Sequence, residues 1–158
     1  MTNSGSMIWG KATWMLFHTI AEQIDDNFYK ANYVQLYNLI KRICLNLPCR
    51  TCAGHATEFM SSVHPNSINT REKFKAMLFY FHNKVNGRVK KPLFKQSDLA
   101  IYGSYNIRIV LSNFITFYGK RYNQVLQSGL LSTETMRRRI CSDVLNLIKT
   151  YNQYFIRK

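Results

Sequence analysis

The 158-residue chain is poor in acidic residues, glycine and proline, and it has no long apolar run. Its 7 glycines and 3 prolines exclude a collagen-like or low-complexity protein. No stretch of about 18 uncharged apolar residues is present, which argues against a transmembrane helix. The apolar start around residues 7–20 lacks the basic region and the small-residue cleavage site of a signal peptide. With 46% hydrophobic residues, the composition instead indicates one globular domain.

Basic residues far outnumber acidic residues, 22 against 8, and give a formal charge of +14. The excess is spread along the chain: residues 1–95 hold 13 basic and 5 acidic side chains, and residues 96–158 hold 9 and 3. Such a charge attracts phosphate, so a basic helical nucleic-acid-binding or virion-packing protein is one open interpretation. The strongest sequence feature for this interpretation is the arginine run at 137–139. Three adjacent side chains leave a helix in different directions, however, which is typical of a solvent-exposed face.

Apolar side chains recur every three or four residues in four segments, which predicts four helices. These segments cover residues 7–25, 28–47, 49–62 and 70–87 and are joined by short links. Pro48 ends the second segment, and Asn69 or Thr70 caps the fourth, with Glu72 in its first turn. No segment alternates with a period of two, so we predict an all-α protein built on an antiparallel four-helix bundle.

Two further helical segments follow Pro92. Residues 97–119 carry a helical pattern of apolar side chains, and Ser132 opens a last helix that continues to Tyr151. We expect residues 106–158 to form a helical C-terminal extension that packs on the bundle or on a dimer.

Cys49 and Cys52 form a CxxC directly after Pro48, at the predicted start of the third helix. The unpaired amide groups of a helix N-terminus favour thiolate over thiol, and Arg50 adds a positive charge. By spacing alone, the pair fits a redox dithiol, half of a zinc site or two incidental cysteines. A zinc ion would need two further ligands. The nearest candidates are Cys44, His55 and His64.

Two other patterns accompany the CxxC. WGxxxWxxxH covers residues 9–18 and places Trp14 and His18 one turn apart on the first helix. HNxVN covers residues 82–86 and places His82 and Asn86 one turn apart on the fourth helix, before a Lys-Pro pair at 91–92. Taken alone, the first pattern is typical of core packing and the second of helix capping.

Together and in this order, the blocks resemble the Erv/ALR family of FAD-linked sulfhydryl oxidases. The resemblance covers about residues 7–105 and implies a sulfhydryl oxidase domain over residues 1–105. It also implies a four-helix bundle with a short fifth helix that holds FAD without a nucleotide-binding sheet. The absence of a GxGxxG motif agrees with that fold.

The resemblance implies a set of site residues. Cys49 exchanges with the substrate dithiol, Cys52 faces the flavin, and oxygen takes the electrons to give hydrogen peroxide. No metal ion is implied. The residues expected to bind FAD are Lys11, Trp14, His18, His55, His82, Asn83, Asn86, Val89, Lys91 and Tyr102, with Tyr102 preferred over Tyr105 as the aromatic side chain on the fifth helix.

The departures from the family pattern suggest a minimal form. Gln96 stands where cellular members have a cysteine that ties down the fifth helix, and no second CxxC or CxC shuttle is present. We therefore expect direct electron transfer from a thioredoxin-like or CxxC-bearing partner, as in the forms encoded by large cytoplasmic DNA viruses, with host cytoplasm and virion as the location. The mitochondrial intermembrane space is the alternative for a cellular member.

The resemblance further implies a homodimer formed through the first two helices, and neither a membrane nor a nucleic acid as partner. Two cysteines lie outside the CxxC. We expect Cys44 to be a buried small apolar side chain and Cys141 to be a structural thiol, because a lone cysteine lacks a resolving neighbour.

Overall fold

The computed structural model describes residues 4–122, 130–150 and 152–154, with side chains from residue 8 and, in the last helix, from residue 133. The described chain is helical, which confirms the all-α prediction. Its six α-helices are α1 (Ser4–Gln23), α2 (Asp26–Leu45), α3 (Arg50–Ser62), α4 (Arg71–Arg88), α5 (Ile107–Tyr118) and α6 (Leu130–Thr150). Short 3₁₀ helices cover Pro65–Ile68, Gln96–Ser104 and Asn152–Tyr154.

α1 is the central helix. It packs against α4, α5 and the 3₁₀ helix Gln96–Ser104, and its side chains are buried on nearly every face. A helix that is apolar all round belongs in an interior. The polar side chains that α1 buries, among them Thr13, His18 and Gln23, are therefore placed in the middle of the protein.

Side-chain caps set several helix starts, because an oxygen that accepts from an early amide satisfies a donor the helix leaves unpaired. Asp25 accepts from the amide of Phe28 at 2.8 Å and opens α2. Thr70, as predicted, accepts from the amide of Lys73 and opens α4.

The helix predicted over residues 97–119 is wrong as one element. The structure has a 3₁₀ helix, Gln96–Ser104, followed by α5 from Ile107. Asn106 lies between them, and its side-chain oxygen accepts from the amides of Arg108 and Ile109. This cap starts a new helix, so the apolar pattern that runs across the break belongs to two differently oriented segments.

α5 and α6 close the core on the far side of α1. α5 buries an apolar face against α1, and α6 packs on α5 and α2. The buried side chains of the two helices are Ile107, Val110, Leu111, Phe114, Tyr118, Arg137, Ile140, Cys141, Val144 and Ile148. The hydroxyl of Tyr118 also donates to the carbonyl of Ile43 at 3.0 Å and joins α5 to α2. The C-terminal helices are thus part of the core.

Arg137 corrects the solvated-face interpretation of the arginine run. Its side chain is 3% exposed, and its Nε donates to the carbonyl of Tyr118 at 3.0 Å. A second guanidinium nitrogen lies 3.4 Å from the carbonyl of Lys120. A buried cation is favoured here because the last carbonyls of a helix are unpaired and carry negative partial charge. Arg138 and Arg139 are exposed, as expected.

Across the described residues, no helix is long and apolar enough to span a membrane.

Candidate functional site

Cys49 and Cys52 begin α3 and form a disulfide. Cys49 is the N-cap residue, and its Sγ accepts from the amide of Cys52 at 3.2 Å. Both cysteines are partly accessible, while Arg50 and Thr51 between them are exposed. A thiol released here would face the positive end of the helix dipole, which stabilises thiolate.

Five rings from α1, α4 and the following segment form a ring cluster: Trp14, His18, His82, Phe94 and Tyr102. Trp14 lies parallel to His82, with ring centroids 4.0 Å apart and planes inclined by 4°. His18 stacks on Tyr102 at 4.8 Å, and Phe94 contacts His82 at 4.4 Å. The cluster brings the two separate sequence patterns together on one surface of α1 and α4.

The two imidazoles of the cluster are uncharged near neutral pH. Nε2 of His18 lies 2.8 Å from Nδ1 of His82, so one ring donates a hydrogen bond and the other accepts it. Burial lowers the pKa of His18 to about 4. Burial, with the charges of His18 and Lys91, lowers the pKa of His82 to about 3.

The asparagines of the HNxVN pattern hold the backbone that follows α4. Asn83 accepts from the amide of Phe94 at 2.8 Å and donates to the Phe94 carbonyl at 3.1 Å. Asn86 donates to the carbonyl of Pro92 at 3.2 Å, and its own carbonyl accepts from the amide of Lys91 at 2.9 Å. These bonds fold residues 91–94 back over His82.

Aromatic contacts connect the ring cluster to α3. Trp14 meets Phe81 edge to face at 5.0 Å, and Phe81 stacks on Phe59 at 4.2 Å. Phe59 lies two turns after Cys52 on α3. The CxxC helix is thus positioned by packing on the residue that precedes His82.

The comparison with known families decides what this arrangement is. The model of the Erv1/Alr family matches residues 11–105, a segment that contains the CxxC and the ring cluster. The chain belongs to the Erv1/Alr family.

Named relatives of this Erv1/Alr member come from plants and viruses. "FAD-linked sulfhydryl oxidase ERV1" of Oryza sativa subsp. japonica is 36% identical over 85 residues, 54% of this chain and 43% of the rice protein. "Putative FAD-linked sulfhydryl oxidase 096R" of Invertebrate iridescent virus 3 is 30% identical over 86 residues, 54% of this chain and 58% of its own length. "FAD-linked sulfhydryl oxidase" of African swine fever virus (isolate Pig/Kenya/KEN-50/1950) is 33% identical over 94 residues, 57% of this chain and 75% of the viral protein.

The chain thus spans about half the length of the first two of these relatives. No solved structure matches it significantly.

The ten residues predicted to bind FAD fall into three groups in this Erv1/Alr member. Asn83 and Asn86 hold the backbone after α4, as described above. Trp14, His18, His82 and Tyr102 belong to the ring cluster, with Tyr105 edge to face against Tyr102 at 5.4 Å. The third group is exposed and makes no ring contact among the described residues. Its members are Lys11, His55, Val89 and Lys91.

Gln23 is a site residue that the sequence patterns missed. It is 1% exposed, and its Nε2 lies 3.0 Å from the carbonyl of Tyr102 and 2.6 Å from that of Tyr105. The side chain therefore fixes the segment that carries Tyr102 to α1. The only signal in the sequence is a polar residue on the apolar face of α1.

The zinc interpretation finds no support at the CxxC. Both sulfurs are in the disulfide, and among the described residues no three His, Cys, Asp or Glu side chains are grouped as metal ligands.

Proposed function

We propose that this chain is a FAD-dependent sulfhydryl oxidase that forms disulfides in protein dithiols. The observation that carries the proposal is the partly accessible Cys49–Cys52 disulfide, joined by packed rings to the neutral imidazole and indole cluster. The family match and the names of the relatives support the same chemistry.

The donor set of the site fits FAD. Flat, uncharged rings suit the faces of a flavin or an adenine, and the ammonium groups of Lys11 and Lys91 suit a pyrophosphate. Trp14 and His82 offer two such rings, stacked on each other. The residues proposed to hold FAD are Lys11, Trp14, His18, His55, His82, Asn83, Asn86, Val89, Lys91 and Tyr102.

Asn83 and Asn86 would act by holding residues 91–94 in place, since both side chains bond the backbone there. Bound FAD would accept the electron pair of the dithiol and pass it to oxygen, giving hydrogen peroxide.

The cysteines carry out the exchange with substrate. A substrate thiolate attacks Sγ of Cys49, the Cys49–Cys52 bond breaks, and Cys52 leaves as a thiolate at the helix N-terminus. The second substrate thiol then attacks the mixed disulfide and releases Cys49. The substrate has lost two electrons and two protons, and the CxxC holds the electron pair as a dithiol.

We propose that the electron donor is a separate thioredoxin-like or CxxC-bearing protein. The described chain carries two cysteines outside the CxxC, Cys44 and Cys141, and both are buried. Neither can collect a substrate thiol at the surface. In a Cys52→Ser variant, the Cys49 thiolate should attack the donor supplied in its disulfide form and hold it as a mixed disulfide, because the attack breaks the donor's own S–S bond and Cys52 is not there to release Cys49.

A homodimer is the further proposal for assembly. α1 offers little free surface because α5 and the 3₁₀ helix Gln96–Ser104 cover it. A dimer would use the exposed stripe of α2, where Val34 is 44% and Leu45 56% exposed. The exposed residues that form this stripe of α2 are Ala31, Val34, Gln35, Asn38, Arg42 and Leu45.

Viral relatives support the host cytoplasm and the virion as the setting, with disulfides of virion proteins as the product. The mitochondrial intermembrane space is the setting to test if the gene proves cellular.

Oxygen consumption tests the proposed activity. The full chain, purified with FAD, should consume oxygen when given dithiothreitol and produce one hydrogen peroxide per disulfide formed. A variant with Cys44 and Cys141 both replaced by Ala is the matched control and should keep the rate per bound flavin. An inactive flavin-bound protein would contradict the proposal.

A further inference from the structure

Positive charge without acidic neighbours is concentrated after the middle of α4. No acidic residue occurs between Glu72 and Asp98, while residues 84–95 hold five lysines and arginines. Lys84, Arg88 and Lys90 are all exposed. A charge run of this kind is a candidate contact surface if the fold places it beside the chemistry.

The topology places this run at the same end of the bundle as the CxxC. Tyr29, near the start of α2, stacks on Phe74, near the start of α4, at 5.0 Å. Further along both helices, Tyr37 donates to the carbonyl of Met60, whose neighbour Phe59 stacks on Phe81, so α2 and α4 run in the same direction. Their C-terminal ends therefore lie together, and Cys49 follows the end of α2 by four residues. α3 runs back along α4, with the ammonium of Lys84 lying 5.6 Å from the centre of the Phe59 ring.

We call the four exposed cations at this end the cationic rim: Arg50, Lys84, Arg88 and Lys90. None of them forms an ion pair with any residue in the described parts of the chain. At the opposite end, by contrast, Glu22 pairs with Lys75 at 3.2 Å and Asp26 pairs with Arg71 at 2.6 Å. At the disulfide end Arg42 also pairs with Asp143 at 2.9 Å, and Glu58 is exposed on α3. The four rim cations still outnumber these acids, so positive charge is in excess around the disulfide.

We propose that the cationic rim is the docking surface for an acidic segment that flanks the cysteines of the substrate protein. This inference rests on the proposed function, which requires a protein dithiol to reach Cys49. Positive charges without ion-pair partners around a reactive disulfide raise the rate at which negatively charged partners encounter it, and they orient those partners. A protein fits better than a nucleic acid as the occupant because only the protein brings a thiol to the disulfide.

The chemical step at this surface is complete within the two proteins. The substrate dithiol loses two electrons and two protons and becomes a disulfide, and the Cys49–Cys52 disulfide becomes a dithiol. Its rate can be followed in one turnover without oxygen, by quenching with a maleimide and counting the labelled cysteines of the substrate, because the electron pair on Cys49 and Cys52 should pass to the bound flavin and restore their disulfide.

The experiment uses three peptides with the same CxxC, flanked by glutamates, glutamines or lysines, and the full flavin-loaded chain. At about 10 mM ionic strength the screening length is about 30 Å, so the rim charges act over a long range. The acidic peptide should then reduce the disulfide about tenfold faster than the neutral one. The basic peptide should be slower than the neutral one. At about 1 M salt, where the screening length is about 3 Å, the three rates should converge.

Two variants with equal loss of charge separate the rim from the net charge. The rim variant is Lys84→Gln, Arg88→Gln, Lys90→Gln, and the control variant is Lys30→Gln, Lys73→Gln, Lys149→Gln, all exposed and toward the opposite end. The rim variant should lose most of the preference for the acidic peptide, and the control variant should keep it. Equal preference in both variants, or equal rates for the three peptides, would overturn the proposal.

Two further outcomes have defined meanings. If a short single-stranded oligonucleotide binds the rim tightly at physiological salt and the acidic peptide has no advantage, the surface serves nucleic acid and the proposal is wrong. Dithiothreitol is uncharged and should reduce all three proteins at the same rate. If it fails to reduce even the wild-type disulfide, the proposed oxidase function fails and this inference falls with it.

Discussion

The ring cluster and the C-terminal helices are two interiors of one small protein with opposite character. α1 and α4 bury several polar side chains among their apolar ones, including two imidazoles in hydrogen-bond contact and an indole stacked on one of them. Between α5, α6 and α2 the buried side chains are apolar except for one arginine that caps a helix. Polar groups are costly to bury, and their concentration in one region supports our proposal that the chemistry takes place there.

The cysteines show the same contrast. Cys49 and Cys52 are partly accessible at a helix N-terminus, where the dipole favours thiolate. Cys44 and Cys141 are buried, and burial raises the pKa of Cys44 to about 12 and that of Cys141 to about 11. The environment of each thiol therefore separates the accessible pair, which we propose to be redox-active, from two buried core side chains. Changes in the first region should alter chemistry, and changes in the second should alter stability.

The largest expected effect is on chemistry. Cys52→Ser leaves Cys49 without the disulfide that the substrate attacks, so thiol-dependent oxygen consumption should fall at least about 10³-fold while FAD stays bound. Cys44→Ala, in the apolar region, should keep the rate per bound flavin. Normal turnover by the Cys52→Ser protein would contradict the division between a chemical region and a structural region.

The next effect is on stability. Phe114 is fully buried on α5, so Phe114→Ala should lower the free energy of unfolding by about 3–5 kcal/mol in urea titrations. Ile109 on the same helix is 61% exposed, and Ile109→Ala should change it by less than about 0.5 kcal/mol. The rate per folded, flavin-bound molecule should be the same in both. If Phe114→Ala lowered the rate per folded, flavin-bound molecule, packing in the C-terminal helices would affect the chemistry, which contradicts the separation of the two regions.

A smaller effect distinguishes the two interiors by pH. The folded-state pKa values of His18 and His82 lie below the ordinary value of about 6.5, so below that pH the unfolded chain binds more protons. The free energy of unfolding should therefore fall by about 3 kcal/mol from pH 7 to pH 5. In His82→Gln the loss should be about half as large. A flat profile in the wild type would show that the pair is already solvated.

The smallest effect comes from one hydroxyl. Tyr118→Phe removes the hydrogen bond to the Ile43 carbonyl, which also accepts from the amide of Asn46 and so keeps a partner. The expected loss in the free energy of unfolding is about 1 kcal/mol, with turnover unchanged. A loss above about 3 kcal/mol would mean that the α2–α5 contact depends on this bond.

The sequence predicted the local features well and the contacts between helices poorly. Periodicity located the four bundle helices, and Pro48 placed the CxxC at the start of α3. The contact of His18 with His82 depends on how α1 and α4 are aligned, which no pattern within either helix specifies. The break before Asn106 was missed because a capping side chain, and not a loss of apolar residues, ends the segment.

Arg137 is a charged residue whose contacts the sequence also failed to predict. Its burial depends on the end of α5 reaching α6, and an arginine run carries no sign of that contact. Asn83 and Asn86 also take roles that appear only when residues 91–94 fold back.

The most direct test of the central claim, that the CxxC passes electrons to a bound flavin, is an anaerobic absorbance titration with dithiothreitol. The purified chain should be yellow, and its flavin band near neutral pH should bleach with one equivalent of dithiol beyond that taken up by Cys49 and Cys52. In Cys52→Ala the band should stay. A chain that remains colourless after addition of FAD, or a band that bleaches equally in Cys52→Ala, would contradict the account.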